Sequence, residues 1–148
     1  MHQHQTIEAT EQEIVEEFSQ LDSWDDKYEY IIDLGKKLPP LEPEYKIDEN
    51  RVRGCQSTVW LESTFQDGRV CYKADSDAII VKGLISMLIR VLSGQRPDDI
   101  INARLDFIGR IGMTTHLAQT RSNGLLAMVK QMKTIALAYK IKTASPAK

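Results

Sequence analysis

Thr58-Val59-Trp60-Leu61-Glu62-Ser63-Thr64-Phe65-Gln66-Asp67-Gly68-Arg69-Val70-Cys71-Tyr72-Lys73-Ala74 is the stretch on which the fold turns. Its two halves, 58–65 and 69–74, are rich in β-branched and aromatic residues, which suit a pleated, half-buried surface. Asp67-Gly68 between them favours a tight two-residue turn with positive φ, so the segment predicts an antiparallel hairpin. Such a turn sets position 66 opposite 69, and therefore 64 opposite 71. Arg51-Val52-Arg53 is a third short extended run just upstream. A small three-stranded antiparallel sheet is the simplest arrangement.

Downstream of the hairpin, Asp75-Ser76-Asp77 supplies cap residues for a strongly apolar helix, Ala78 to Ser93, with Gly94 as its stop. Lys82 and Arg90 interrupt this run, and it falls short of the roughly 20 apolar residues a bilayer requires. It is therefore expected to be the central buried helix. Pro97-Asp98-Asp99 opens another short helix. Residues 104–115 fit no single pattern, although Leu105, Phe107, Ile108, Ile111 and Met113 are expected to pack on the core. A last helix is predicted over about 122–139, with Leu125, Met128, Val129, Met132, Ile135 and Tyr139 on one stripe.

Upstream, Thr10-Glu11-Gln12-Glu13 has capping-box spacing, and Ile14, Val15, Phe18 and Leu21 follow at helical intervals, which predicts a helix over 11–21. A second helix begins near Trp24, where Asp25 and Asp26 suit the positive end of the helix dipole, and stops at Leu38-Pro39-Pro40. Residues 39–50 form a Pro- and Glu-rich connection. Residues 1–9 and 143–148 are expected to be unstructured, leaving one α+β domain over 10–142 with helices packed against the sheet.

Composition narrows the function. The chain has 148 residues, 42% hydrophobic and 27% charged, which is ordinary globular usage and argues against disorder, collagen or a coiled coil. Residues 1–50 carry 14 acidic and 4 basic side chains, and residues 51–148 carry 15 basic and 7 acidic ones. The net −2 thus hides a −10 and a +8 that meet at Arg51. The two parts either neutralise each other within one fold or present separate faces to partners. The cations are spread evenly, without aromatic stacking residues, so no nucleic-acid surface is indicated. No membrane partner is indicated either. No basic segment followed by an apolar one opens the sequence, and a reducing, cytoplasmic setting is expected.

Two cysteines and 3 histidines cannot build a disulfide framework, and no CxxC or Cys/His cluster offers a zinc or iron–sulfur site. No glycine-rich phosphate loop follows a strand. Cys71 falls inside the hairpin ladder, where a free cysteine reads as a small buried hydrophobe. Cys55 falls in Gly54-Cys55-Gln56-Ser57, a connection at the other end of the sheet. An extended strand would hold the two thiols roughly 30 Å apart, too far for a disulfide. Arg51 and Arg53 lie just upstream, and nearby positive charge favours the thiolate. Cys55 is therefore either a reactive thiol or a structural one. If reactive, it could also work as a hydrolytic nucleophile with His116 as base, although no orienting residue or oxyanion hole is evident.

Four blocks then carry a resemblance. Trp24-Asp25-Asp26-Lys27-Tyr28 with Ile31-Ile32-Asp33-Leu34-Gly35 and Leu38-Pro39 is one; Val52-Arg53-Gly54-Cys55-Gln56-Ser57-Thr58-Val59-Trp60 is the second. Asp75-Ser76-Asp77-Ala78-Ile79-Ile80-Val81-Lys82-Gly83-Leu84 and Arg121-Ser122-Asn123-Gly124-Leu125 complete the set. In this order, over residues 11–140, the sequence resembles the SufE family. The resemblance implies a fold shared with IscU-type scaffolds and a role in iron–sulfur cluster assembly. The chain would be an accessory protein without turnover of its own. It would take persulfide sulfur onto Cys55 from a SufS-like cysteine desulfurase, stimulate that enzyme, and pass sulfur to a SufBCD-like scaffold. Pyridoxal phosphate would belong to the desulfurase, and this chain would need no cofactor or metal. Gln56-Ser57 is closer to SufE proper than to its paralogue CsdE. Gly54, Gln56, Ser57, Asp75, Ser76, Asp77 and Arg121 match the family's docking region. Helix capping is the plainer reading of Asp75 and Asp77. Cys71 has no counterpart in the family pattern. Monomer and homodimer both stay open.

Overall fold

Ile79–Leu92 forms α3, the helix around which the rest is arranged in a computed structural model that describes residues 5–54, 57–112 and 119–144, with side chains at 5–54, 57–112 and 124–143. Leu84, Ile85, Met87, Leu88, Val91 and Leu92 are all buried, a band wider than the stripe of a surface helix. Trp24–Lys36 forms α2, whose start is fixed by the Ser23 hydroxyl accepting from the Asp26 N–H at 3.1 Å. The two helices touch backbone to backbone. A Cβ placed on Gly35 would lie 2.7 Å from the Gly83 nitrogen, and one on Gly83 would land on the Ile31 carbonyl.

Ile7–Ser19 forms α1, which starts earlier than the predicted 11–21. Thr6, not Thr10, is its cap, accepting from the Ala9 N–H at 3.1 Å. Burial explains the difference: Ile7, Thr10, Glu11, Ile14 and Phe18 form the buried face, so the core recruits one more turn than the capping box marks. The lead-in expected over 1–9 accordingly gives way to helix at Ile7.

Val59–Gln66 (β1) and Arg69–Ser76 (β2) pair antiparallel, with Gln66 opposite Arg69 and Thr64 opposite Cys71, the register the turn predicts. Asp67 and Gly68 both have positive φ, 54° and 76°. The sheet has two strands among the described residues, not three. Arg51-Val52-Arg53 contributes one bridge, Arg51 to Trp60, before Gly54 turns the chain away at φ 92°. A run that leaves after one rung cannot build a ladder. Val59, Leu61, Val70, Tyr72 and Ala74 are buried. Beyond α3, the chain bonds to the edge of β2 through Gly94 and Gln95, each making one backbone bond with Val70.

Pro97–Asn102 forms α4 and Phe107–Arg110 forms α5, a single turn within the stretch that fitted no pattern. Leu105, only 5% exposed, adopts φ 58°, a left-handed conformation that returns the chain to the core. Gln119–Ala144 forms α6, longer at both ends than predicted. Leu125, Met128, Met132 and Ala136 are its buried stripe, while Val129, Ile135 and Tyr139 are partly covered. The Tyr72 hydroxyl donates to the Met132 carbonyl at 2.7 Å, tying the hairpin to α6, and burial raises its pKa. Tyr139 stacks on Phe65, ring centroids 5.0 Å apart. Among the described residues no helix is long and apolar enough to cross a membrane.

The acidic first third and the basic remainder do meet. Arg90 on α3 donates to Glu17 at 2.7 and 2.9 Å and to Glu13 at 3.1 Å, both on α1. Tyr30 of α2 donates to the same Glu17 at 2.6 Å, and burial together with that carboxylate pushes its pKa up to about 12. Arg90→Met should lower stability by about 1 kcal/mol, since the pairs are solvent-accessible but forked. Urea titrations at low and high salt should show the gap between variant and wild type narrowing as salt rises.

Candidate functional site

The chain around Cys55 is fastened at both ends to one end of the hairpin. On the upstream side Arg51 bridges Trp60, and the Val52 N–H donates to the Val59 carbonyl at 2.9 Å. On the downstream side the Thr58 N–H donates to Asp77 Oδ1 at 3.2 Å, and the Thr58 carbonyl accepts from the Ser76 hydroxyl at 2.8 Å and the Asp77 N–H at 3.3 Å. Cys55 and Gln56 themselves lie outside the described residues. Gly54, exposed and left-handed, stands at the lip of this loop, where a Cβ would sit 3.2 Å from Ala127 of α6. Sequence positions more than 70 apart thus converge: the second block approaches the helix that carries the fourth.

Arg51 and Arg53 share one acidic partner, Asp48, at 3.9 and 3.4 Å. All three are exposed, so these pairs bind weakly and leave both guanidiniums accessible just upstream of the loop.

Asp75, Ser76 and Asp77 do three different jobs, and capping α3 by an aspartate is not one of them. β2 runs on through Ser76, and α3 begins after Ala78, whose own side chain makes no cap bond. Ser76 is buried and its hydroxyl accepts from the Ala78 N–H at 3.2 Å while donating to Thr58. Asp77 is exposed and holds Thr58. Asp75, expected on the docking surface, is 4% exposed. Its Oδ2 accepts from the Leu41 N–H at 3.3 Å and meets Lys46 Nζ at 3.2 Å. Its Oδ1 accepts from the Ser76 N–H at 2.8 Å and faces Lys82 Nζ at 3.5 Å. Burial works against the charge, but the two amides and two lysines outweigh it and hold the carboxyl below its ordinary pKa.

Lys46 also lies over the Trp60 ring, 5.3 Å from its centroid. Sequence reasoning missed Lys46 and Lys82. Lys82 sits in the third block and could have been suspected; a single lysine in a Glu-rich connection gives no signal. Ser57 is half-buried. The backbone of Arg121 lies in the first turn of α6, and its side chain lies outside the described residues, as does all of His116. Cys71 is half-buried opposite Thr64, short of the full burial expected. Among the described residues no group of three His, Cys, Asp or Glu could hold a metal ion.

A family model described as SufE, Fe-S metabolism associated domain, matches residues 12–136. An uncharacterised SufE-like protein of Rhizobium meliloti (strain 1021) is 38% identical over 129 residues, 84% of this chain and 92% of that protein. One of Synechocystis sp. is 40% identical over 128 residues, covering 86% and 80%. SufE-like protein 1, chloroplastic/mitochondrial, of Arabidopsis thaliana is 40% identical over 132 residues, 88% of this chain and 36% of that longer one. A solution structure of a hypothetical protein from Thermus thermophilus superposes with a TM-score of 0.72 at 20% identity, over 87% of this chain and 94% of the other. That likeness extends to the fold.

Proposed function

The chain belongs to the SufE family, the Fe-S metabolism associated domain, and from that premise we propose that it is a sulfur carrier whose acceptor is Cys55. The family match over residues 12–136, which spans the Cys55 loop, carries this reading. The chemistry asks for one accessible sulfur nucleophile. The Cys55 thiolate attacks the terminal sulfur of a persulfide on a partner cysteine desulfurase. A new S–S bond forms at Cys55, the partner's S–S bond breaks, and the partner's cysteine leaves as a thiolate, as in thiol–disulfide exchange. No external oxidant is consumed. The partner supplies pyridoxal phosphate and breaks the C–S bond of cysteine. This chain supplies the carrier, speeds the desulfurase by clearing its persulfide, and gives the sulfur up to a cluster scaffold.

Gly54 supports the reading, because only a glycine-like backbone takes φ 92° without strain at the lip of the loop. So does the positive charge that Arg51 and Arg53 keep upstream, since it favours the thiolate. Incubation with a SufS-like desulfurase and free cysteine should add one or more sulfur atoms to the peptide containing Cys55, read by mass spectrometry under non-reducing conditions. A modified Cys71 beside an unmodified Cys55 would refute the assignment.

A further inference from the structure

Asp75 is the most heavily used buried carboxylate outside the loop, and nothing in its surroundings leaves it free for a partner. Its two oxygens face two different pieces of the chain. Oδ2 takes the Leu41 N–H and Lys46, both from the connection between α2 and the hairpin. Oδ1 takes the Ser76 N–H and Lys82, at the junction of β2 and α3. That connection, residues 37–50, is built of short 3-10 turns at Pro43–Tyr45 and Asp48–Asn50, with no buried residue in either turn. Leu41, 3% exposed, is its one deep apolar anchor beyond Leu38. A strap of this kind has little hydrophobic burial of its own and depends on the polar contacts that pin it.

The strap leads directly into the upstream foot of the Cys55 loop. Asp75 pairs with Trp60 across the hairpin, Arg51 bridges Trp60 from the other side, and Lys46 covers the Trp60 ring. Asp75, Trp60 and Arg51 are therefore three adjacent positions across one end of the sheet, with the strap's Lys46 over the middle one. We propose that Asp75 is a positioning residue for sulfur transfer: through Leu41 and Lys46 it clamps the 37–50 strap, and so sets the position of Arg51 and Val52, the upstream foot of the Cys55 loop. The proposal rests on Cys55 being the acceptor, but the clamp itself can be read without any sulfur chemistry.

An amide at this site cannot replace the carboxylate. One of its two heads is an NH2 donor, so either the Leu41 or the Ser76 N–H would face a donor instead of an acceptor. The two lysines separate a local clamp from general stabilisation, because Lys46 joins Asp75 to the strap and Lys82 joins it to α3. Cys71 in the ladder reports loosening of the whole fold within the same molecule.

The test is the rate of iodoacetamide alkylation at Cys55 and at Cys71, followed peptide by peptide in the native protein. Asp75→Asn and Lys46→Met should each speed Cys55 by roughly fivefold or more while Cys71 keeps its rate. Lys82→Met should leave Cys55 within about twofold of wild type. The proposal is overturned if a folded Asp75→Asn leaves Cys55 unchanged, if both cysteines accelerate together, or if Lys82→Met matches Lys46→Met. Should Asp75→Asn fail to fold, the contrast between the two lysine variants decides alone. Persulfide loading of wild-type Cys55 by desulfurase tests the carrier reading separately, so a failed clamp and a failed carrier give different results.

Discussion

Gly83→Ala is expected to destabilise the protein by about 3 kcal/mol or more, and to leave little folded material at physiological temperature. In an open helix this exchange would help, because alanine is the best helix former and glycine costs about 1 kcal/mol relative to it. Here the sign reverses. The new methyl would land on the carbonyl and side chain of Ile31, which is itself fully buried, so α2 and α3 would have to separate along their tightest contact. Backbone cannot yield as the tip of a flexible side chain can. Gly109→Ala is the control: nothing lies within 4 Å of its added carbon, and its stability should stay near that of wild type. Urea unfolding monitored by circular dichroism gives both values. A Gly83→Ala midpoint indistinguishable from that of wild type would show that the helices are not in backbone contact.

The second large effect concerns transfer. Cys55→Ser should abolish sulfur loading from a desulfurase, because a serine hydroxyl is neither ionised at neutral pH nor able to hold a stable persulfide. Cys71→Ser should load at close to the wild-type rate. Cys71 stands opposite Thr64 in the ladder, half-buried, and plays no part in the proposed chemistry. Radiolabelled or mass-resolved sulfur on each variant after a single turnover of desulfurase separates the outcomes. Loading that survives in Cys55→Ser and vanishes in Cys71→Ser would reverse the roles of the two thiols.

What the sequence made legible follows from the range of each interaction. The hairpin register was readable because Asp67-Gly68 forces it locally, and both residues do adopt positive φ. The start of α2 was readable because Ser23, Asp25 and Asp26 act within one turn. The third strand was not, since whether Arg51-Val52-Arg53 continues a ladder depends on where Gly54 sends the chain. Thr10 has the local signature of a cap yet does not cap, because burial of Ile7, a tertiary event, overrides a good local motif. The Asp75-Ser76-Asp77 run has the look of a single capping unit. Strand alternation puts Asp75 on the face opposite Ser76, Asp77 lies beyond the end of the strand, and the packing of the strap buries the first aspartate while the second stays in water. Cys55, the proposed acceptor, was singled out by its place in a loop and by the family blocks around it, neither of which needs a long-range contact.

The Arg90 fork carries a consequence for synthesis. Its partners Glu17 and Glu13 lie 73 and 77 positions earlier in the chain, and Arg110 reaches Gln12 across 98. α1 is therefore synthesised well before α3 and α5 exist to complete the cover of its apolar face, which α2 meets at Phe18 through Tyr30, and contacts of this span form late. During that interval residues 1–50 carry a net −10. Self-repulsion of that charge is expected to favour solubility until the basic remainder arrives to offset it. The charge imbalance between the two parts of the chain is thus expected to work as a solubility tag that the finished fold, at net −2, no longer carries.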